Sequence, residues 1–326
     1  MTLLLTRRDV AALLTLDECI AAVEHAFALE AEGKALGPGV LGLHVPGGGF
    51  HVKAAGLRLG RFYFAAKLNA NFPDNAARWG LPTIQGVVAL SDGETGQPLA
   101  LMDSMEITAL RTGAATAVAA RYLARPDARV ATIVGCGRQG RIQLAALARV
   151  RKLERVHAVD RDPGTAARFA EEMSAALSLD VRRAGSIAET GPRSDIWVTC
   201  TPSQVPLLGR EHVAPGSFVA AVGADNENKQ ELDAALMAAA TVVVDSLEQC
   251  ATIGDLHHAL AQGLLSKADV HAQLAEVVAG RKPGRRSADE ITIFDSSGVA
   301  IEDVAAAAVV YEKAVGAGRG LSVDLA

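Results

Sequence analysis

The sequence predicts an α/β protein, a doubly wound parallel sheet preceded by an α+β region. Two observations carry that reading. Short apolar, β-branched runs near 129–134, 155–160, 195–200, 217–222 and 241–245 alternate with helical patterns, the signature of a doubly wound parallel sheet. The stretch before them has a different pattern, a capped helix followed by strands and a hairpin signal.

From the N-terminus, Thr15-Leu-Asp-Glu18 has capping-box spacing and opens an amphipathic helix with Ile20, Val23 and Phe27 turned inward. A glycine-rich passage from Gly37 to Gly49 leads to two strands, Phe50-His-Val-Lys-Ala-Ala55 and Phe62-Tyr-Phe-Ala-Ala-Lys-Leu68. In the second, period-two alternation puts Lys67 with Tyr63 and Ala65, opposite Phe62, Phe64 and Ala66. Gly86–Leu90 and Pro98–Met102 flank Ser91-Asp-Gly-Glu-Thr-Gly96, a hairpin connection. An alanine-rich helical segment then runs from Ser104 to Pro126. After the alternating strands and helices, Ile291-Thr-Ile-Phe294 is a last strand, Asp295–Gly298 a turn, and 299–314 helical. The change of pattern divides the chain into 1–115 and 116–299, with the C-terminal segment 300–326 expected to pack back on the first part.

The first strand of the alternating region ends in a glycine loop and passes at once into a helix, Ala128-Arg-Val-Ala-Thr-Ile-Val-Gly-Cys-Gly-Arg-Gln-Gly140. In Gly135-x-Gly137-x-x-Gly140 the first glycine permits the tight turn and the second lets a pyrophosphate approach the backbone. The third brings the helix close to the strand, with the phosphate at its positive N-terminus. A second strand, Arg155-Val-His-Ala-Val-Asp160, ends in an acid about 20 residues beyond the loop, the place of a ribose diol ligand. Residues 116–299 therefore read as a Rossmann domain binding NAD, and Arg161 beside the acid leaves room for NADP.

Composition excludes several classes. A formal charge of −5 gives no basic excess to meet a nucleic-acid backbone. The cluster Arg281-Lys-Pro-Gly-Arg-Arg286 reads as a solvated loop rather than a binding patch. Cys19, Cys136, Cys200 and Cys250 show no metal or redox spacing, and none of the 8 histidines forms a metal-binding pair. His257 and His258 are expected to point apart on a helix. No metal site is expected. The N-terminal apolar run is too short for a signal segment and no run is long enough to span a membrane, so the expected setting is the cytoplasm.

Ligands of open α/β sheets bind beyond the carboxyl ends of the strands, which selects Thr199-Cys-Thr-Pro202 and Val222-Gly-Ala-Asp225. Asp225 follows an apolar run and a glycine; partial shielding would raise its pKa and suit it to acid–base work. The plainer alternative is that it caps a helix starting near Gln230. Lys67 has no carboxylate nearby in sequence, so it either snorkels to solvent or faces a cleft that holds an anion. Arg111 interrupts a run of small residues and must reach an interdomain surface or a carboxylate. His44 and His51 lie close to these strands.

With these residues in view, the chain resembles the ornithine cyclodeaminase/μ-crystallin family, which includes alanine dehydrogenases and ketimine reductases. The carriers are Lys67-Leu-Asn-Ala-Asn-Phe-Pro-Asp-Asn75, Asp92–Leu99, Thr108–Thr116, Gly223-Ala-Asp-Asn-Glu-Asn-Lys-Gln-Glu-Leu232 and Phe294–Gly298. The resemblance implies a homodimer joined through 1–115, which would bind a small amino or imino acid substrate. It implies that Lys67 and Arg111 hold the substrate carboxylate, with Lys67 also catalytic, and that Asp225 is the catalytic acid. It further implies dinucleotide contacts at Thr83, Thr112, Arg138, Gln139, Asp160, Thr201, Val222, Gly223, Lys229 and Ser296, and a substrate contact at Ser297. The sequence departs from the family where Pro38 is followed by Gly39 instead of an arginine. Lys53, with His51, is expected to replace that arginine. The loop Asn226-Glu-Asn228 also departs from the family's proline- and glycine-containing version.

The implied activity is that of an NAD-dependent imine reductase or amino-acid dehydrogenase. The alternatives are an ornithine cyclodeaminase-type lyase with catalytic NAD and a non-catalytic μ-crystallin-like dinucleotide-binding protein. Retention of Lys67, Arg111 and Asp225 speaks against the last. From the residues alone, the chemistry reaches hydride transfer to a carboxylate-bearing ligand; the nitrogen comes from the resemblance.

Overall fold

The computed structural model describes residues 1–325, apart from the side chains of Pro38 and Pro192; the proline of the Pro38–Gly39 departure and the last residue of the segment 300–326 thus lie outside the described residues. The chain forms two compact units: Met1–Arg111 together with the segment from Val299, and Thr112–Gly298.

In the first unit, the helix Leu16–Ala31 begins as its sequence dictates. Thr15 Oγ1 accepts from the Glu18 N–H at 3.3 Å and the Glu18 carboxylate takes the Thr15 N–H at 3.0 Å, reciprocal caps on one helix end. Ile20, Val23 and Phe27 are buried. Among the described residues one sheet has seven strands, in the order Leu321–Val323, Thr2–Leu5, Pro98–Asp103, Ile84–Asp92, Arg61–Asn71, Gly48–Leu59, Ala35–Val45. The glycine-rich passage is thus itself largely an edge strand, with its register shifting between Leu36 and Gly39, where the glycines allow a bulge. The expected hairpin turn is held by Asp92, whose carboxylate accepts from the backbone of Glu94 and Thr95 at 2.9 and 2.8 Å.

Strand alternation sorts this sheet into two faces. Tyr63, Ala65 and Lys67 point inward beneath the helix Ala300–Ala317, while Phe64 and Leu68 point outward and stay exposed. The outward rows are apolar across several strands: Leu41, Val52, Leu68 and Val87 are successive partners, as are Leu43, Phe50 and Ala70.

In the second unit, among the described residues, eight parallel strands form one sheet. Their order is Ala272–Gln273, Thr241–Val244, Thr292–Asp295, Phe218–Ala221, Ile196–Thr199, Val130–Val134, Arg155–Val159, Asp180–Arg183. From Val130–Val134 the chain winds out one way and then returns to add Ile196–Thr199 on the other side. That reversal opens a crevice at the carboxyl ends of these two strands, the place where such sheets bind ligands.

Two local expectations are corrected. Gln230 starts no helix: Gln230–Leu232 is a short strand paired with Gln204–Leu208, and the next helix, Ala234–Ala238, is capped by Asp233. The basic cluster is not simply a solvated loop, because Arg285 is half-buried and donates to the Leu123 and Ser217 carbonyls and to Thr292 Oγ1. It latches the loop to the sheet.

Candidate cofactor and carboxylate sites

The glycine loop has the geometry its spacing requires. Gly135 has φ +102°, and a Cβ there would lie 2.9 Å from the Cys200 carbonyl oxygen. At Gly140 a Cβ would fall 2.2 Å from the Gly135 oxygen, so only glycine lets the helix Arg138–Val150 sit this close. Gly137, at the helix N-cap, meets nothing within 4 Å; its outer side is open to a ligand. Beside it, Gln139 Nε2 is buried and makes no hydrogen bond within the chain. A donor of that kind at a helix N-terminus suits the pyrophosphate of a dinucleotide.

Asp160 follows its strand as expected and ties the loop together, its two oxygens accepting from the Cys136 N–H at 2.8 Å and the Asp162 N–H at 3.0 Å. Arg138 and Arg161 are exposed. The residues present therefore fit NAD: a glycine cradle, an orphaned buried amide and an acid at the end of the second strand.

The next two loops of this unit carry the other expected contacts. Thr201 and Gly223 both turn inward onto Glu231, while the Val222 N–H donates to the Thr199 carbonyl at 2.9 Å. Ser296 and Ser297 are buried and donate their hydroxyls to Asp245 at 3.2 and 2.9 Å. Asp225 is a correction. It is not shielded: half its side chain is exposed, since the strand ends at Ala221 and the loop carries Asp225 clear of the sheet. Its carboxylate pairs with Lys229 Nζ at 2.6 Å. His257 and His258 do not diverge either. Their rings stack at 3.7 Å, because Nδ1 of the first meets the Gly254 carbonyl and Nε2 of the second the Lys229 carbonyl.

The first unit holds the cations. Lys67 is 3% exposed, and its ammonium lies 2.7 Å from Asp303. Arg111 pairs through Nη1 with Glu302 at 2.9 Å and through Nε with Asp303 at 3.3 Å. Both acids stand in the first turn of Ala300–Ala317, where the helix dipole favours negative charge. Lys67 is therefore neither snorkelled nor unanswered, and Arg111 reaches two carboxylates instead of one.

Lys53 is directly opposite Lys67 in the strand register, on the same face, and is half-buried; His51 lies two residues before it in the same strand. Three cations thus surround two carboxylates. Burial pulls the Lys67 ammonium down to about 8, helped by Arg111 and Lys53, with Asp303 opposing. Burial would raise Asp303, but Lys67 and Arg111 outweigh it and hold it below the ordinary range. Cations gathered on one largely buried sheet face are suited to meet a carboxylate. Thr83 is exposed, with its carbonyl accepting from the Phe72 N–H, and Thr112 is buried.

Sequence reasoning missed Glu302, Asp303 and Glu231. The first two carry a signal: adjacent acids interrupt the apolar helical run Val299-Ala-Ile-Glu-Asp-Val-Ala-Ala306. An ionic pair at such a place needs buried cations to answer it.

The ornithine cyclodeaminase/mu-crystallin family model matches residues 1–318. Alanine dehydrogenase of Archaeoglobus fulgidus is 42% identical over 99% of this chain and 98% of its own length. An archaeal alanine dehydrogenase dimer solved with bound NAD superposes with a TM-score of 0.95 at 41% identity, covering 100% of this chain and 99% of its own. The Δ1-pyrroline-2-carboxylate reductase of Thermococcus litoralis, solved with NADH and L-proline, also gives 0.95, at 37% identity, covering 99% of this chain and 100% of its own. With the glycine cradle, the buried cation cluster and these likenesses together, the chain belongs to the ornithine cyclodeaminase/mu-crystallin family.

Proposed function

We propose that this protein is an NAD-dependent oxidoreductase acting on C–N bonds, an imine reductase or amino-acid dehydrogenase whose substrate carries an α-carboxylate. The observation that supports it best is the cluster of Lys53, Lys67 and Arg111 around Glu302 and Asp303, in which Lys67 and Arg111 are buried. Arg111 and Lys67 bind the carboxylate. Lys53, with His51, serves in place of the family arginine missing at Gly39 and sets the preference for the rest of the substrate. Ser297, whose hydroxyl is held by Asp245, contacts the substrate.

NAD supplies hydride exchange at the α-carbon when bound. Gly137, Arg138 and Gln139 hold its pyrophosphate on the turn that Gly135 and Gly140 make possible, Asp160 its ribose, and Thr83, Thr112, Thr201, Val222, Gly223, Lys229 and Ser296 complete the site. Asp160 favours NAD over NADP by repelling a 2′-phosphate, with Arg161 as a counterweight. Asp225 moves the proton to or from the substrate nitrogen, and Lys229 pairs with it at 2.6 Å. Met1–Arg111 with the segment from Val299 form the substrate-binding and dimerisation domain and Thr112–Gly298 bind the dinucleotide, boundaries one to four residues before the 115/116 and 299/300 that the change of sequence pattern suggests.

The outward sheet face, where Leu41, Leu43 and Leu68 are 53%, 55% and 42% exposed, pairs with a second copy in a homodimer. No helix among the described residues is long and apolar enough to cross a membrane. The enzyme works in the cytoplasm. The test is one panel: cyclic imino acids, or pyruvate with ammonia, are supplied with NADH, and separately ornithine or lysine with catalytic NAD. Net NADH loss is expected. Ammonia release without net NADH change would make it a cyclodeaminase, and tight NADH binding with neither would make it a binder.

A further inference from the structure

Glu231 has no part in the chemistry above, yet three hydrogen bonds from two separate loops converge on its carboxylate. It is 0% exposed. Its Oε1 accepts from the Thr201 N–H at 2.6 Å and the Thr201 hydroxyl at 2.7 Å. Its Oε2 accepts from the Gly223 N–H at 2.8 Å. One side chain therefore bridges the loop after strand Ile196–Thr199 to the loop after strand Phe218–Ala221. Thr201 belongs to the first loop; Gly223, two residues before Asp225, belongs to the second.

We propose that Glu231 is a positioning residue, an anionic clasp that fixes the Thr201 and Gly223 loops so that they meet the dinucleotide and present Asp225 in one arrangement. This rests on the functional reading above only for what the two loops contact.

Three features argue for a clasp rather than a buried accident. Two backbone N–H groups and a hydroxyl converge on it, an arrangement an ionised carboxylate satisfies in full. Gly223 leaves room for both joined loops: a Cβ there would stand 2.4 Å from Glu231 Oε2 and equally 2.4 Å from the Thr201 carbonyl oxygen. Its own backbone is fixed in turn, since Asp255 Oδ1 takes the N–H groups of Glu231 and Leu232 at 2.8 and 2.9 Å. Burial, then the Asp255 charge, push the Glu231 carboxyl up to about 7, with the Thr201 hydrogen bonds pulling it back.

The experiment uses the full-length protein and NADH itself, read by fluorescence titration. Glu231→Gln keeps the volume but sets an NH2 against at least one of the donors. It is expected to weaken NADH binding by about ten-fold, the effect of leaving one buried N–H unanswered. Asp255→Asn keeps the oxygen that accepts from the Glu231 backbone and is expected to leave the affinity within about two-fold. An equal loss in both variants assigns the effect to general loosening and overturns the clasp.

Unchanged affinity in folded Glu231→Gln overturns it too, whereas a wild-type protein that binds no NADH overturns the functional reading instead. Should the variant not fold, amide exchange on the wild type decides. The Thr201 and Gly223 amides are expected to be protected far above the exposed Asn228 in the same region; equal exchange overturns the proposal.

Discussion

The Lys67 ammonium makes a pH-dependent test of the carboxylate site. Its pKa lies at about 8 against 10.5 for a free lysine, chiefly because it is buried. The sign follows directly. Lys67 is charged below about 8 and loses its charge as pH rises through that value, so carboxylate binding is strongest at neutral pH and weakens on the alkaline side. One pH unit above the midpoint roughly one chain in ten keeps the ammonium, so apparent affinity at pH 9 falls about ten-fold, about 1.4 kcal/mol.

Stability of the ligand-free protein runs the other way. The unfolded chain holds this proton up to 10.5, so between about 8 and 10.5 the Lys67 contribution rises with pH, by about 3 kcal/mol in all. The assay is titration of the NADH complex with pyrrole-2-carboxylate, a planar carboxylate with no second group ionising in this range, from pH 6.5 to 9.5. Lys67→Arg, whose guanidinium stays charged throughout, is expected to flatten the alkaline limb. A wild-type affinity that is level across the range, or a limb that survives in Lys67→Arg, would refute the placement of Lys67 against the carboxylate.

Three further outcomes are expected. Asp303→Asn leaves Lys67 and Arg111 under-neutralised in the interior and lowers unfolding free energy by about 3–5 kcal/mol; a loss under about 1 kcal/mol in urea would contradict the buried pairing. Asp225→Asn leaves NADH affinity nearly unchanged but lowers kcat by about a hundred-fold or more, with steady-state rates as the check. Leu68→Glu, in the centre of the outward apolar face, is expected to give monomers by light scattering; a dimer as tight as wild type would move the interface elsewhere.

What was legible in the sequence was local. The strand runs near 129–134 and 155–160, the capping box at Thr15 and the glycine spacing all depend on neighbours a few residues apart, and each stands where its pattern put it. Tyr63, Ala65 and Lys67 likewise share the inward face that alternation assigned to them. What stayed hidden was long-range or belonged to edges. The partner of Lys67 lies 236 positions away, a separation no periodicity encodes. The edge strand Ala35–Val45 is rich in glycine, so its ladder hydrogen bonds, not its composition, make it a strand. Asp225 follows an apolar run, which suggests shelter, but burial depends on where the strand stops and the loop turns out. Glu231 sits in a strand of three residues, too short to carry a pattern.

The discontinuity of the first unit bears on how the chain is made. Its sheet contains Lys67 from the first quarter of the sequence, while the acids that neutralise it belong to a helix beginning at Ala300. During synthesis the N-terminal sheet leaves the ribosome carrying Lys67 well before Asp303 is made. It must wait through the whole of the nucleotide-binding unit, many seconds at ordinary elongation rates, before the last helix can close it. A ribosome stalled anywhere before Val299 therefore exposes an unfinished apolar sheet with an ammonium at its centre, a natural substrate for chaperones. Chains truncated there are expected to be degraded rather than to persist as half-enzymes.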